Sequence, residues 1–208
     1  MGIRSEERGV DCAFEILREG INEVIATTSQ YGTEPNAAPM GVIRHGKRLH
    51  IATYLTSHTA QNIQECPFVV LHMTDDPRWF VRTAFSDPIR EEYVSEEIDG
   101  ILIPRLGAIS SWITCACTIE NKTTQQVLVS LTPRRVVQVP HVFHPVNRGY
   151  GSVIEATVHA TRYVHTKDPV LGDLISFHIN VAKKCGDSTV KEAIDLLLMY
   201  LHDCDIPK

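Results

Sequence analysis

The 208-residue chain is 43% hydrophobic and 22% charged, the balance of a globular protein with a substantial core, and its length suits one domain with at most a small appendage. A net charge of −5 argues against a nucleic-acid surface, and no apolar run reaches the length of a membrane span. Residues 1–12 mix charges without an apolar stretch, so no secretory signal is expected and a cytoplasmic location is.

Residues 10–20 read as a first strand or a helical turn. Residues 24–28 and 37–43 then form two β-rich pieces around Ser29-Gln30-Tyr31-Gly32-Thr33, a connection expected to be tight. The second piece opens on Asn36, Ala37, Ala38, Pro39, Met40 and Gly41, small residues and a proline in place of β-branched alternation. Proline donates nothing to a ladder and belongs at an edge, a strand start or a bulge; small residues leave room for a backbone or a flat ligand. Residues 44–47 read as a turn and residues 49–54 as an alternating strand. Thr56, Ser57, His58, Thr59 and Asn62 follow on a loop entering a short helix that ends before Pro67. Residues 68–73 are a nearly continuous apolar strand closed by residues 74–77. Residues 86–100 are polar and acidic, with Pro88 placed as in a first helical turn. Residues 112–119 and 126–131 are strands around a turn at 120–124, and residues 134–139 add another.

Beyond Pro145 the pattern changes. Ser152 and Glu155 form a capping box for a helix reaching about Val164, burying Val153, Ala156, Ala160 and Tyr163. Residues 171–185 are a second amphipathic helix stopped by Gly186. Thr189 and Glu192 box a third, with Val190, Ile194, Leu197, Leu198 and Leu201 on one stripe. Strands followed by helices indicate an α+β chain: a β-rich domain over 10–145 and a helical extension over 146–208.

Six cysteines, Cys12, Cys66, Cys115, Cys117, Cys185 and Cys204, are scattered without a redox or zinc spacing and read as reduced core thiols. The hydroxyls and amide of Thr56, Ser57, Thr59 and Asn62 stand where a helix N-terminus presents unpaired N–H groups, a natural phosphate cradle; simple N-capping needs only one of them. Neither a Walker-A lysine nor a dinucleotide-binding glycine pattern is present. Glu155, His159 and Arg162 share a helical face as a polar network. His141 and His144 lack the further ligands of a metal site, and no metal is expected.

Taken together, N-A-A-P-M-G-V at 36–42, T-S-H-T-A-Q-N-I at 56–63 and F-V-V-L-H-M at 68–73 resemble the flavin-reductase-like split barrels that bind FMN. E-V-I-A-T-T at 23–28, N-R-G at 147–149 and I-E-A-T-V-H-A-T-R at 154–162 bring the resemblance closer to the family called domain of unknown function 447. The resemblance implies an FMN-binding split β-barrel, six-stranded and mostly antiparallel, with a C-terminal helical subdomain. It also implies a homodimer with FMN at the subunit interface, residues 36–41 along the flavin ring, and Thr56, Ser57, His58, Thr59 and Asn62 around the phosphate. Relatives often place Lys or Arg in that loop; His58 stands there here, and histidine is charged only part of the time near neutral pH. The implied activity is that of an oxidoreductase of unknown substrate, and some relatives occur beside pterin-linked one-carbon chemistry. The alternatives are a non-catalytic flavin carrier, or the same fold holding a deazaflavin or pyridoxal phosphate. No catalytic side chain is identifiable.

Overall fold

A computed structural model of the chain describes residues 6–30, 34–140 and 147–202. Two compact units emerge: Met1–Thr74 with Asp87–His141, and Asp75–Ser86 with Val142–Lys208.

The first unit is built on strands β1 (Glu6–Arg8), β2 (Gly20–Thr28), β3 (Asn36–His45), β4 (Arg48–Tyr54), β5 (Phe68–His72), β6 (Tyr93–Ile98), β7 (Ile101–Leu106), β8 (Trp112–Lys122) and β9 (Gln126–Gln138). Six of them close on themselves in the order β9-β4-β3-β2-β5-β8-β9, every pairing antiparallel, and β1 adds an extra strand on β9. This is the split barrel that the sequence led us to expect. Period-two alternation explains the closure: Val24 and Ala26, Leu49 and Ile51, Val69 and Leu71, Ile113 and Cys115, and Val127, Val129 and Leu131 all turn into one core. Residues 10–20 settle as a 3₁₀ turn (Val10–Cys12) and the short α1 (Ala13–Ile16) rather than a strand. Arg44 of β3 pins them by donating from Nη1 to the carbonyls of Phe14 and Leu17, the latter at 2.6 Å.

Several expectations are corrected. The helix suggested by Pro88 is absent; Ile89 precedes a 3₁₀ turn (Arg90–Glu92), and β6 and β7 then form a separate hairpin. Its turn is Asp99-Gly100, both at positive φ (52° and 79°), the backbone that the right-handed twist of a two-residue hairpin requires. Residues 134–139 are not a new strand: β9 runs on through Pro133, which faces Cys115 next to a register shift in β8 that absorbs its missing N–H. The connection between β2 and β3 spans 29–35 and is longer than a tight turn; Tyr31, Gly32 and Thr33 lie outside the described residues.

The second unit packs α3 (Pro77–Phe85), α4 (Arg148–Thr166), α5 (Pro169–Cys185) and α6 (Ser188–Tyr200) around Val81, Val153, Ala156, Ala160, Tyr163, Ile175, Ile179, Ala182, Val190, Ile194 and Leu197. The sequence reading missed α3, whose start is signalled by Asp76 accepting from the Arg78 amide ahead of Pro77. The two expected capping boxes are not used. Asn147 caps α4 by accepting from the Gly149 and Tyr150 amides, which leaves Ser152 buried inside the helix. Asp187 caps α6 by accepting from the Val190 amide. Leu198, placed on the buried stripe of α6, is 37% exposed. Gly186 ends α5 in extended backbone (φ −85°) rather than a left-handed cap. It is glycine for lack of space: a Cβ there would lie 2.2 Å from Val190 Cγ1, and one on Gly149 would lie 2.6 Å from Gly186 Cα. Among the described residues, no helix is long and apolar enough to cross a membrane.

Candidate functional site

Among the described residues, the first half of β3 has a strand partner on one side only. β3 pairs with β2 along its whole length, Asn36 against Thr28 through Arg44 against Gly20. Its other edge meets β4 only from Val42 onward, while β4 continues alone against β9 through Tyr54. Residues 36–41 thus have a ladder on one side and a free edge on the other, and Pro39, opposite Ile25, sits where a missing donor costs that edge nothing. Ala37 is buried, and Ala38, Pro39, Met40 and Gly41 are partly so, with Met40 leaning on the barrel core. Gly41 is small for a different reason from that expected of a ligand strand: a Cβ would come within 3.0 Å of Ile21 Cγ2 on β2.

Helix α2 (His58–Glu65) starts beside this edge. Ser57 caps it, accepting from the Ala60 amide at 3.1 Å, and its hydroxyl is also bonded to Thr53 and to the Tyr54 carbonyl. The capping bond uses neither the His58 nor the Thr59 amide, which remain the positive end of the helix. Asn36 donates to Thr59 Oγ1 at 3.5 Å, joining the strand to the helix start. Asn62 is buried and donates to Thr28 Oγ1 at 3.1 Å, so its amide ties α2 to β2. Thr56 and His58 are exposed and Thr59 is buried.

A pocket of about 310 Å³ lies here, lined by Gln30, Glu34, Pro35, Asn36, His58, Gln61, Asn62 and Asp87. Of the expected site residues, Asn36, His58 and Asn62 line the pocket and Thr59 is tied to them through Asn36. Thr56, Ala37, Ala38, Pro39 and Gly41 are not part of its lining, and Ser57 and Met40 turn to internal bonds and core. Sequence reasoning missed Glu34, Gln61 and Asp87. Gln61 lies one helical turn from Ser57, on a helix already expected, but Asp87 reaches the pocket only through the barrel's topology.

A second polar group sits on the outer face of the same barrel. His72 is fully buried; the Leu106 amide donates to its Nε2 at 3.3 Å, and Thr27 Oγ1, 3.2 Å from that nitrogen, donates to the Pro104 carbonyl at 3.0 Å. The ring proton is thereby placed on Nδ1, which has no partner among the described residues. Burial, and secondly the charge of Arg105, hold the His72 pKa down to about 3. Arg105 itself stacks over Trp112 at 3.9 Å, and Trp112 Nε1 donates to the buried Glu96 at 2.8 Å. These bonds clamp the β6–β7 hairpin onto β2 and β5.

The remaining candidates are structural. Cys115 and Cys117 are buried thiols, Cys117 pushed up to about 12 by burial first, the opposite of a reactive cysteine. In the helical unit Glu155 and His159 stand 4.0 Å apart, the His159 ring lies 5.7 Å from that of His178, and Arg162 is exposed. Burial, and next His178, lower the His159 pKa. His141 and His144 lie outside the described residues, as does Cys204. Among those described, no group of three or more ligating side chains could hold a metal ion.

The profile described as protein of unknown function (DUF447), N-terminal domain, matches residues 22–139, and the one described as protein of unknown function (DUF447) matches residues 147–199. No curated protein matches the sequence. Among solved structures, an FMN-bound protein of the same family from Methanosarcina mazei is 32% identical, covers 88% of this chain and 96% of its own, and superposes with a TM-score of 0.81. The flavin reductase HpaC, complexed with NADP+, is 16% identical over 66% of this chain and 91% of its own, at a TM-score of 0.50, a likeness of fold alone.

Proposed function

The chain belongs to the DUF447 family of proteins of unknown function, and from that premise we propose that it is an FMN-dependent flavoprotein with oxidoreductase activity, working as a homodimer that holds the flavin at its subunit interface. One observation carries the reading: Asn36, where the open stretch of β3 begins, and His58 and Asn62 of α2, beside its uncapped first amides, line one polar pocket. The edge fits a flat ring system and the helix start fits a phosphate. The backbone of residues 38–41 would line the ring, with Pro39 donating nothing. The His58 and Thr59 amides, with the hydroxyls of Thr56 and Thr59 and the side chains of His58 and Asn36, would hold the phosphate. FMN, when bound, supplies the electron or hydride transfer; the chain binds, orients and shields it.

The homodimer is supported by the barrel's outer surface. Ile21 is 69% exposed on β2, opposite Ile43, and Tyr54 is 64% exposed on β4, beyond the stretch of β4 that pairs with β3. A flat ligand on an open strand edge also needs a cover for its second face, and a two-fold interface supplies that cover twice. The expected result is a dimer at micromolar concentration carrying two flavins, with Ile21→Asp shifting it to monomer and releasing flavin together. Sedimentation followed at protein and flavin wavelengths decides this, and a monomer that keeps stoichiometric flavin sinks the proposal.

The phosphate assignment has its own test. Thr59→Val removes one hydroxyl and is expected to weaken FMN roughly tenfold, with riboflavin unaffected, since hydrogen bonds to charged groups are worth about 1.5–3 kcal/mol. Asn62→Ala detaches α2 from β2 and is expected to weaken both flavins. Titrations by flavin fluorescence distinguish the two patterns; equal losses of both flavins in Thr59→Val would contradict a phosphate contact.

A further inference from the structure

The phosphate-binding loop of the proposed flavin site, residues 56–62, contains no lysine or arginine. A phosphate monoester carries a charge of about −1.5 to −2 at neutral pH. The pocket beside the loop is walled by two carboxylates, Glu34 and Asp87. A helix N-terminus offsets only about half a charge, so this wall would repel the ligand that the loop invites.

One of these carboxylates already holds a cation. Arg90, on the 3₁₀ turn just beyond Asp87, donates from Nη1 to Glu34 Oε1 at 2.8 Å. Both side chains are open to solvent, 74% and 68% exposed. An ion pair so exposed adds little to stability and exchanges partners at little cost. A phosphate offers the planar guanidinium two acceptor oxygens and more charge than a carboxylate does, so the exchange favours phosphate. Resting on the flavin reading above, we infer that Arg90 is the phosphate-binding cation of this site. Glu34, on the pocket wall, holds it when no phosphate is present and yields it when the nucleotide enters. The loop's missing basic residue is thus supplied from a segment more than twenty residues further along the chain.

The two partners are thereby given opposite effects, which a merely structural ion pair would not show. FMN and riboflavin are titrated into the flavin-free wild type and into Arg90→Gln, Arg90→Lys and Glu34→Gln. Arg90→Gln is expected to weaken FMN roughly tenfold and leave riboflavin unchanged. Arg90→Lys recovers part of that loss, as a point charge without the bidentate fork. Glu34→Gln is expected to tighten FMN about threefold, because it removes both the competing acceptor and a repelling charge. Unchanged FMN affinity in Arg90→Gln overturns the inference, as does a parallel weakening of both flavins in Arg90→Gln and Glu34→Gln. A wild type that binds neither flavin overturns the flavin reading itself, a failure visible before any variant is made.

Discussion

Lowering the pH from 7 to 5 is expected to destabilise the barrel unit by about 2 kcal/mol through His72 alone, and His72→Gln is expected to abolish that share of the loss. Above about pH 6.5 the ring is neutral in both folded and unfolded chains, so it contributes no pH dependence. Below that, the unfolded chain takes up a proton that the folded chain refuses until its pKa of about 3. Each pH unit in this window therefore removes about 1.4 kcal/mol of stability. The folded ring refuses the proton because it is fully buried, faces Arg105, and has its Nε2 lone pair committed to the Leu106 amide. Glutamine does not titrate, and its carbonyl can accept from the same amide. Urea unfolding at both pH values, wild type against His72→Gln, checks the expectation; parallel losses in the two proteins would remove His72 as the cause.

In the helical unit, Gly186→Ala is expected to cost about 3 kcal/mol, at the upper end of overpacking penalties. The new methyl would stand 2.2 Å from Val190 Cγ1 and 2.6 Å from its Cβ. Val190 cannot swing aside easily, being β-branched and 2% exposed in the first turn of α6. Gly149 closes the other side, its own position 2.6 Å from Gly186 Cα once a Cβ is added. Trimming the obstacle should relieve the strain, so Gly186→Ala with Val190→Ala is expected to be less destabilised than the sum of the single changes. Denaturant unfolding of the four proteins measures this coupling, and strict additivity would show that the clash is absorbed elsewhere.

What the sequence disclosed follows from how local each signal is. Ser57 before His58, with Pro67 beyond, fixed α2 because a cap and a stop lie within one short window. The open edge at Pro39 was legible because a proline in a strand has few places to go. The β6–β7 hairpin carried an equally local sign, Asp99-Gly100 between alternating residues, yet its acidic flank and Pro88 read as a helix start. Asp76-Pro77 likewise announces α3, but directly after an apolar strand the same pair also serves as that strand's end. Ser152 and Thr189 matched a capping pattern, but Asn147 and Asp187 stand earlier and satisfy the helix starts first. Glu34, Asp87 and Arg90 were beyond reach for another reason. No spacing rule joins a residue before β3 to a turn after the helix α3; only the folded barrel makes them neighbours.

The long strand β9 sets the order in which this molecule can be made. It closes the barrel against both β4 and β8 and also carries β1, with Arg8 opposite Val136 and Glu6 opposite Gln138. A ribosome adds about 5–20 residues per second, so β4 leaves it on the order of ten seconds before its partner in β9 is complete. During that interval the nascent chain presents β4 with a bare edge and β1 with no neighbour, the arrangement that invites pairing with another chain. Pairing across so many residues also places this barrel among slow folders. The yield of soluble protein is therefore expected to depend on how fast β9 arrives: slowing translation between Tyr54 and Gln126 is expected to lower the soluble fraction while leaving the urea-unfolding stability of the finished fold unchanged.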